Sequence, residues 1–247
     1  WNADESKTVK DALVEKVAVI GENLKIRRFE KVVAENGCVV SYIHGGGRIG
    51  VLVAGNGASD DAAKEALTNI AMQIAAMNPQ YISRDEIPAD ELAKMKEITI
   101  DSALNDPFSL PKPVLSKLIE KAVAGVWSAE DVAIYEEKKS NMNFLPNFLS
   151  KEAKAQLAEI ACADKEEISG NKIFSGLVEG RISKQMKEIC LLDQVYVKAE
   201  DGKQTVAAYL KSVNPALKIA KFVRFEVGEG MEKKNEDFAA EVAAQLK

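Results

Sequence analysis

Only one histidine occurs in the 247 residues, His44, and three glycines follow it directly in the stretch Ser41-Tyr42-Ile43-His44-Gly45-Gly46-Gly47-Arg48-Ile49-Gly50. An imidazole beside such a turn suits a hydrolase, because backbone N–H groups of a His-Gly-Gly-Gly segment build the oxyanion hole of lipase-like enzymes. The rest of that apparatus is missing. No Gly-x-Ser-x-Gly elbow occurs, and a histidine used in the loop leaves no general base for a serine. Gly45, Gly47 and Gly50 also fit the dinucleotide pattern GxGxxG, which works only between a strand and a helix whose N-terminus faces the pyrophosphate. Here they lead into Ile49-Gly50-Val51-Leu52-Val53, a strand pattern, so the match is accidental. A second glycine turn, Gly228-Glu229-Gly230, sits among Glu226, Glu229 and Glu232, which would repel phosphate, and reads as a strand-to-helix connection.

The other candidates for chemistry are equally bare. Cys38, Cys162 and Cys190 are far apart with no CxxC pair, which argues against a disulfide framework or zinc site and fits a reducing cytoplasm. Asp60-Asp61 and Asp164-Lys165-Glu166-Glu167 have no calcium-loop spacing and stand at expected helix starts, where carboxylates cap and oppose the dipole. Lys25-Ile26-Arg27-Arg28 is a short basic step, either a solvated edge or a contact for a carboxylate on a partner. The inventory argues against covalent, acid–base and metal chemistry: no catalytic residue, metal or cofactor is expected. What remains is a protein that works by contact.

The elements that must carry His44 are legible from periodicity. Val9, Leu13, Val14 and Val17 have helical spacing, broken at Ile20-Gly21-Glu22-Asn23, and from Ile26 the chain turns β-like. Cys38 to His44 and Arg48 to Ala54 form a hairpin around Gly45–Gly47. Ser59-Asp60-Asp61 caps a helix with an apolar stripe at Ala62, Ala66, Leu67, Ile70, Ile74 and Ala75, which stops before Pro79. Residues 83–189 are helix-forming, punctuated by Pro88, Pro107, Pro111, Pro113 and Pro146, and read as an inserted helical arm. Ile173 to Ile189 is expected to pair antiparallel with Ala89 to Leu104, although Gly176 and Gly180 interrupt its pattern. β character returns at Val195 to Lys198 and Phe222 to Val227, a short helix is expected at Thr205 to Val213, and a closing amphipathic helix around Phe238, Val242 and Leu246. The fold class expected is α+β, an antiparallel sheet flanked by helices with a long, coiled-coil-like arm inserted. It divides into 1–37, the end of a first core subdomain; 38–82 with 194–247, a second α+β subdomain; and 83–193, the arm.

Bulk composition narrows the partners. With 47% apolar and 29% charged residues and a net charge of −5, the chain is globular and has no basic field to attract phosphate backbones or anionic lipid. No apolar run approaches the roughly 18 residues of a membrane span. Neither nucleic acid nor membrane is expected as a direct partner.

Five segments together resemble one family, bacterial and organellar translation elongation factor Ts, the guanine-nucleotide exchange factor of elongation factor Tu. They are IGENLKIRR (20–28), SYIHGGGRIGVLV (41–53), IAMQIAAMNPQYIS (70–83), VEGRISKQMKEICLLDQVYV (178–197) and FVRFEVGEGMEKKNEDFAAEVAAQ (222–245). The resemblance is strong over 14–82 and 174–247, whereas 105–172 matches only as a helical insertion longer than the family's usual coiled-coil arm. It implies a three-helix N-terminal domain and a Thr-Asp-Phe-Val wedge ahead of residue 1, so the chain reads as a fragment lacking both. It also implies a cytoplasmic protein that is not an enzyme and binds elongation factor Tu through Ile20, Gly21, His44, Gly45 and Arg48, Ile20 and His44 facing the partner's GTPase domain. The alternative is a docking-only scaffold whose helical arm serves another partner.

Overall fold

A computed structural model of the chain describes residues 4–230. The helix expected around Phe238 to Leu246 lies outside them. Helix α1 (Val9–Ile20) opens the chain; Thr8 and Asp11 form a capping box at its start, and Gly21, at φ 78°, ends it. The hairpin follows as β1 (Gly37–His44) and β2 (Ile49–Asn56), and α2 (Asp61–Met77) lies behind it. Asp60 caps α2 by accepting from the Ala63 N–H at 2.8 Å, and the helix ends at Asn78, φ 46°, just before Pro79. Six helices make the insertion: α3 (Ala89–Asn105), α4 (Lys112–Gly125), α5 (Ala129–Lys138), α6 (Lys151–Ala163), α7 (Lys165–Ser169) and α8 (Lys172–Ile189). The chain then returns through α9 (Val206–Val213) to β3 (Lys218–Glu226).

The sheet is antiparallel in the order β1-β2-β3, with β2 in the middle and β3 closing its free edge after the whole insertion. Alternation along β2 turns Val51 and Val53 onto α2, where Ala63, Ala66, Leu67, Ile70, Ala71 and Ile74 bury them. The many alanines let helix and sheet approach closely, and Gly55 lies so near Leu67 that a Cβ there would sit 2.7 Å from its methyl. Leu191, Tyr196, Val206, Leu210 and Leu217 complete this core. The opposite face is different. Ser41, Leu52 and Val223 form one cross-strand row and Ile43, Gly50 and Phe225 the next; among the described residues Arg28-Phe29-Glu30 crosses them, and Ile43 is 64% exposed.

The β-like run from Ile26 forms no strand. It lies extended over the outer face, held by side chains: the Arg28 guanidinium rests 4.4 Å from the Phe225 ring centre, and Lys221 pairs with Glu30 at 3.2 Å. Val195 to Lys198 likewise makes only an isolated bridge, Val195 to Thr205, because the chain turns at once through Gly202 to begin α9. There Tyr196 stacks on Tyr209 at 4.0 Å.

The insertion has its own core. Leu104, Leu115, Leu118, Ile119, Trp127, Leu145, Leu157, Phe174 and Val178 are buried against one another, apart from the sheet cluster. Helices α3 and α8 are its legs, and between them Leu92, Ile100, Phe174, Val178, Ile182 and Met186 line a groove of about 560 Å³. At the neck the Tyr81 and Ile82 carbonyls accept from the Leu191 and Leu192 N–H groups at 2.9 and 3.0 Å, and Arg84 pairs with Asp193 at 2.8 Å. Buried Gln73, on α2, donates to Gln194 and to the Val195 carbonyl, both at 3.1 Å, and accepts from the Val197 N–H at 2.7 Å. Every polar atom of that amide is thereby used to fix where the chain leaves the insertion.

Candidate functional site

The Ser41–Gly50 stretch folds as the sequence pattern demands. His44 keeps strand geometry, φ −115° and ψ 149°, and Gly45, Gly46 and Gly47 follow at φ 60°, 67° and 98° in a single 3-10 turn. All three lie where a side chain would strain the backbone, which is why the turn is glycine. Arg48 closes it, its N–H reaching the Gly45 carbonyl at 3.4 Å, and its own carbonyl accepts from Val227 at 2.9 Å. The hairpin tip is therefore tied to the end of β3. His44, Gly45 and Arg48 are all exposed. The imidazole is held from one side: the Tyr42 hydroxyl lies 3.0 Å from its Nδ1, and the two rings are 5.9 Å apart at a 34° tilt.

Ile20 and Gly21 belong to another element, the end of α1, where Ile20 is 54% exposed and the Gly21 N–H reaches Val17 at 2.9 Å. Among the described residues no hydrogen bond or ion pair links them to His44. The Arg27-Arg28 step, expected as either a solvated edge or a contact for a carboxylate on a partner, instead meets Gly228-Glu229-Gly230, expected as a strand-to-helix connection. Arg27 donates to the Glu229 carbonyl, and Arg28 pairs with the Glu229 carboxylate at 2.7 Å. The basic step thus finds its carboxylate within the chain, 201 residues away. Glu229 lies two residues beyond Val227, whose N–H holds Arg48, so the Arg27-Arg28 step and the hairpin tip are both tied to the chain just after β3.

The residues with reactive side chains elsewhere have structural employment. Asp164 is not a side-chain cap but pairs with Lys121 at 2.6 Å. Asp131 is buried; desolvation pushes its pKa up, but the Ser150 N–H and the Ser128 and Ser150 hydroxyls outweigh it and hold the carboxyl below its usual range. Cys190 is fully buried at the neck, and desolvation pushes its thiol up, the opposite of an activated nucleophile. Among the described residues no three His, Cys, Asp or Glu groups converge as a metal site, and no helix is long and apolar enough to cross a membrane. The groove between α3 and α8 has mostly apolar walls with Arg84, Lys96 and Glu179 along them.

Comparison with known proteins agrees with the quoted segments. The sequence profile of the family described as "Elongation factor TS" matches residues 1–229. The curated "Elongation factor Ts" of Clostridioides difficile (strain 630) is 38% identical over 246 residues, covering 98% of this chain and 61% of that protein. Those of Clostridium botulinum (strain Eklund 17B / Type B) and Clostridium novyi (strain NT) are each 36% identical, over 248 and 247 residues, with 98% and 99% of this chain and 61% of theirs. The matches extend across the helical insertion, so 105–172 has a counterpart in these relatives. The chain spans about 61% of the length of the curated relatives it matches.

Proposed function

The chain belongs to the elongation factor Ts family, and from that premise we propose that it contributes to guanine-nucleotide exchange on elongation factor Tu, in the cytoplasm, by contact alone. The mechanism is linkage. A protein that binds the empty GTPase more tightly than the nucleotide-loaded one weakens nucleotide binding by the same free energy, with no bond made or broken. Such a protein needs a rigid, exposed surface rather than activated side chains. The observation that carries the reading is the hairpin tip: an exposed imidazole on a strand end, followed by a glycine turn that lets a second backbone approach. Ile20, Gly21, His44, Gly45 and Arg48 are proposed as partner-binding residues, with Ile20 supplying an exposed apolar contact. The division into 1–37, 38–82 with 194–247, and 83–193 is proposed with them; two separate buried clusters support parting the second of these from the third, with Leu191 at the boundary packing in the sheet cluster.

The experiment is to titrate the chain against elongation factor Tu loaded with fluorescent GDP, measuring complex formation and release rate separately. Accelerated release that is lost in His44→Ala supports exchange through this surface. Binding without acceleration favours the docking-only scaffold. That second reading has its own observation, since the insertion exposes Phe144 (58%) and Phe148 (51%) away from its core.

A further inference from the structure

We propose that Tyr42 is a positioning residue for His44: its hydroxyl donates to Nδ1, so that the imidazole presents Nε2–H outward as a donor to an oxygen acceptor on the GTPase. The proposal rests on the partner-binding role of His44 given above.

Tyr42 and His44 are two apart on β1 and therefore share a sheet face. Tyr42 stands opposite Val51 in the ladder, and its half-buried ring packs on the cluster under α2. His44, opposite Ile49, is exposed at the strand end. The two side chains thus form a lever with one end fixed in the core and its hydroxyl 3.0 Å from Nδ1 at the other. A neutral imidazole has one donor and one acceptor nitrogen, and whichever bond one nitrogen makes decides the state of the other. A phenol is a good donor and, with its lone pairs drawn into the ring, a poorer acceptor. Nδ1 therefore accepts, the ring proton stays on Nε2, and an outward N–H is aimed before any partner arrives. Pre-orienting a side chain that must otherwise be frozen on binding removes part of the ordering cost.

Because His44 is the only histidine, its ring nitrogens can be read without assignment ambiguity. Long-range proton–nitrogen correlation spectra of the whole chain above neutral pH should show Nε2 protonated and Nδ1 unprotonated and accepting a hydrogen bond. Tyr42→Phe, which keeps the packed ring, should move the Nδ1 resonance toward that of a free imidazole. Affinity for nucleotide-free elongation factor Tu should fall about 3- to 10-fold in Tyr42→Phe, the range expected for ordering one side chain. Added to His44→Ala, the same change should do nothing more. His44→Gln, which keeps a donor near Nε2, should bind better than His44→Asn. A protonated Nδ1, an Nδ1 resonance indifferent to Tyr42→Phe, or an equal loss from Tyr42→Phe in the His44→Ala background would overturn the proposal. Unchanged affinity in His44→Ala would remove His44 from the surface; the spectra would then still report whether the Tyr42 bond exists, separating the two failures.

Discussion

The sheet unit and the helical insertion solve the same burial problem in opposite ways. Around β2 and α2 the core sets Ala63, Ala66, Ala71 and Ala75 between Leu67, Ile70 and Ile74, and at its glycines the packing is tight: a Cβ on Gly57 would lie 2.0 Å from the Ala216 carbonyl oxygen. The insertion fills its interior with volume, using leucines, isoleucines, Phe174 and Trp127, whose indole N–H donates to the Ala153 carbonyl at 2.9 Å. At Gly55 and Gly57 the sheet unit has no room for an added atom, while the insertion is sensitive to atoms removed. Among the described residues the second face of the sheet is partly covered, and the sheet carries the hairpin tip at its end, so its rigidity is what holds His44 and Arg48 in place. Rigid presentation from a closely packed scaffold is what a contact surface requires.

The largest effect should come from breaking the close approach. Gly57→Ala meets backbone at 2.0 Å and sits at φ 91°, so it should destabilise the sheet unit by roughly 3–5 kcal/mol. Urea unfolding followed by the His44 resonances and by far-ultraviolet circular dichroism should show the sheet unit melting first while much of the helical signal persists. A single shared transition would mean that the neck couples the two cores completely.

The reverse experiment is Leu157→Ala, at a fully buried position in α6, which should cost the insertion about 2–5 kcal/mol. Affinity for elongation factor Tu should change little if the working surface is the hairpin tip. A large loss would shift weight to the insertion and to the scaffold reading.

Asp131 gives the insertion a pH dependence through a buried carboxyl. Its folded carboxyl is held below the unfolded value by the Ser150 and Ser128 bonds, so its stabilisation is present above the unfolded value, about 3.9, and is lost as pH falls through the lower folded value. Urea midpoints of the insertion should therefore fall on acidification below about pH 4, and less so in Asp131→Ala. That variant also leaves the Ser150 N–H without its partner and should cost about 1–3 kcal/mol at neutral pH. An identical acid response in both proteins would dismiss Asp131 as the sensor.

The smallest stability change belongs to the residue with the largest expected functional one. His44→Ala removes an exposed side chain and should shift the urea midpoint by less than about 0.5 kcal/mol, while weakening the complex with elongation factor Tu. A strongly destabilised variant would show that the Tyr42–His44 pair supports the fold instead.

What was legible in advance was local. The hairpin, the Asp60 cap, the glycine turn and the α2 stripe, apart from Ala62, which is exposed while its neighbour Ala63 is buried, follow from periods of 2 and 3.6 and from backbone preferences that act within a few residues. So does the presence of His44 at an exposed strand end. Expectation failed where a short run looked β-like but had no ladder to join, as at Ile26 and Val195, because strand propensity is realised only against a partner.

The sequence by itself determined the types of the long periodic elements, the α+β class, the helical character of the insertion and, through five ordered segments, the family. Only the tertiary structure decided that Arg28 meets Glu229, that Gln73 clamps the exit of the insertion, and that its six helices share a core of their own. The physical reason is distance along the chain. Residues separated by 100 to 200 positions leave no periodic trace of each other in the sequence, and their pairing depends on which surfaces remain unburied after the local elements have formed.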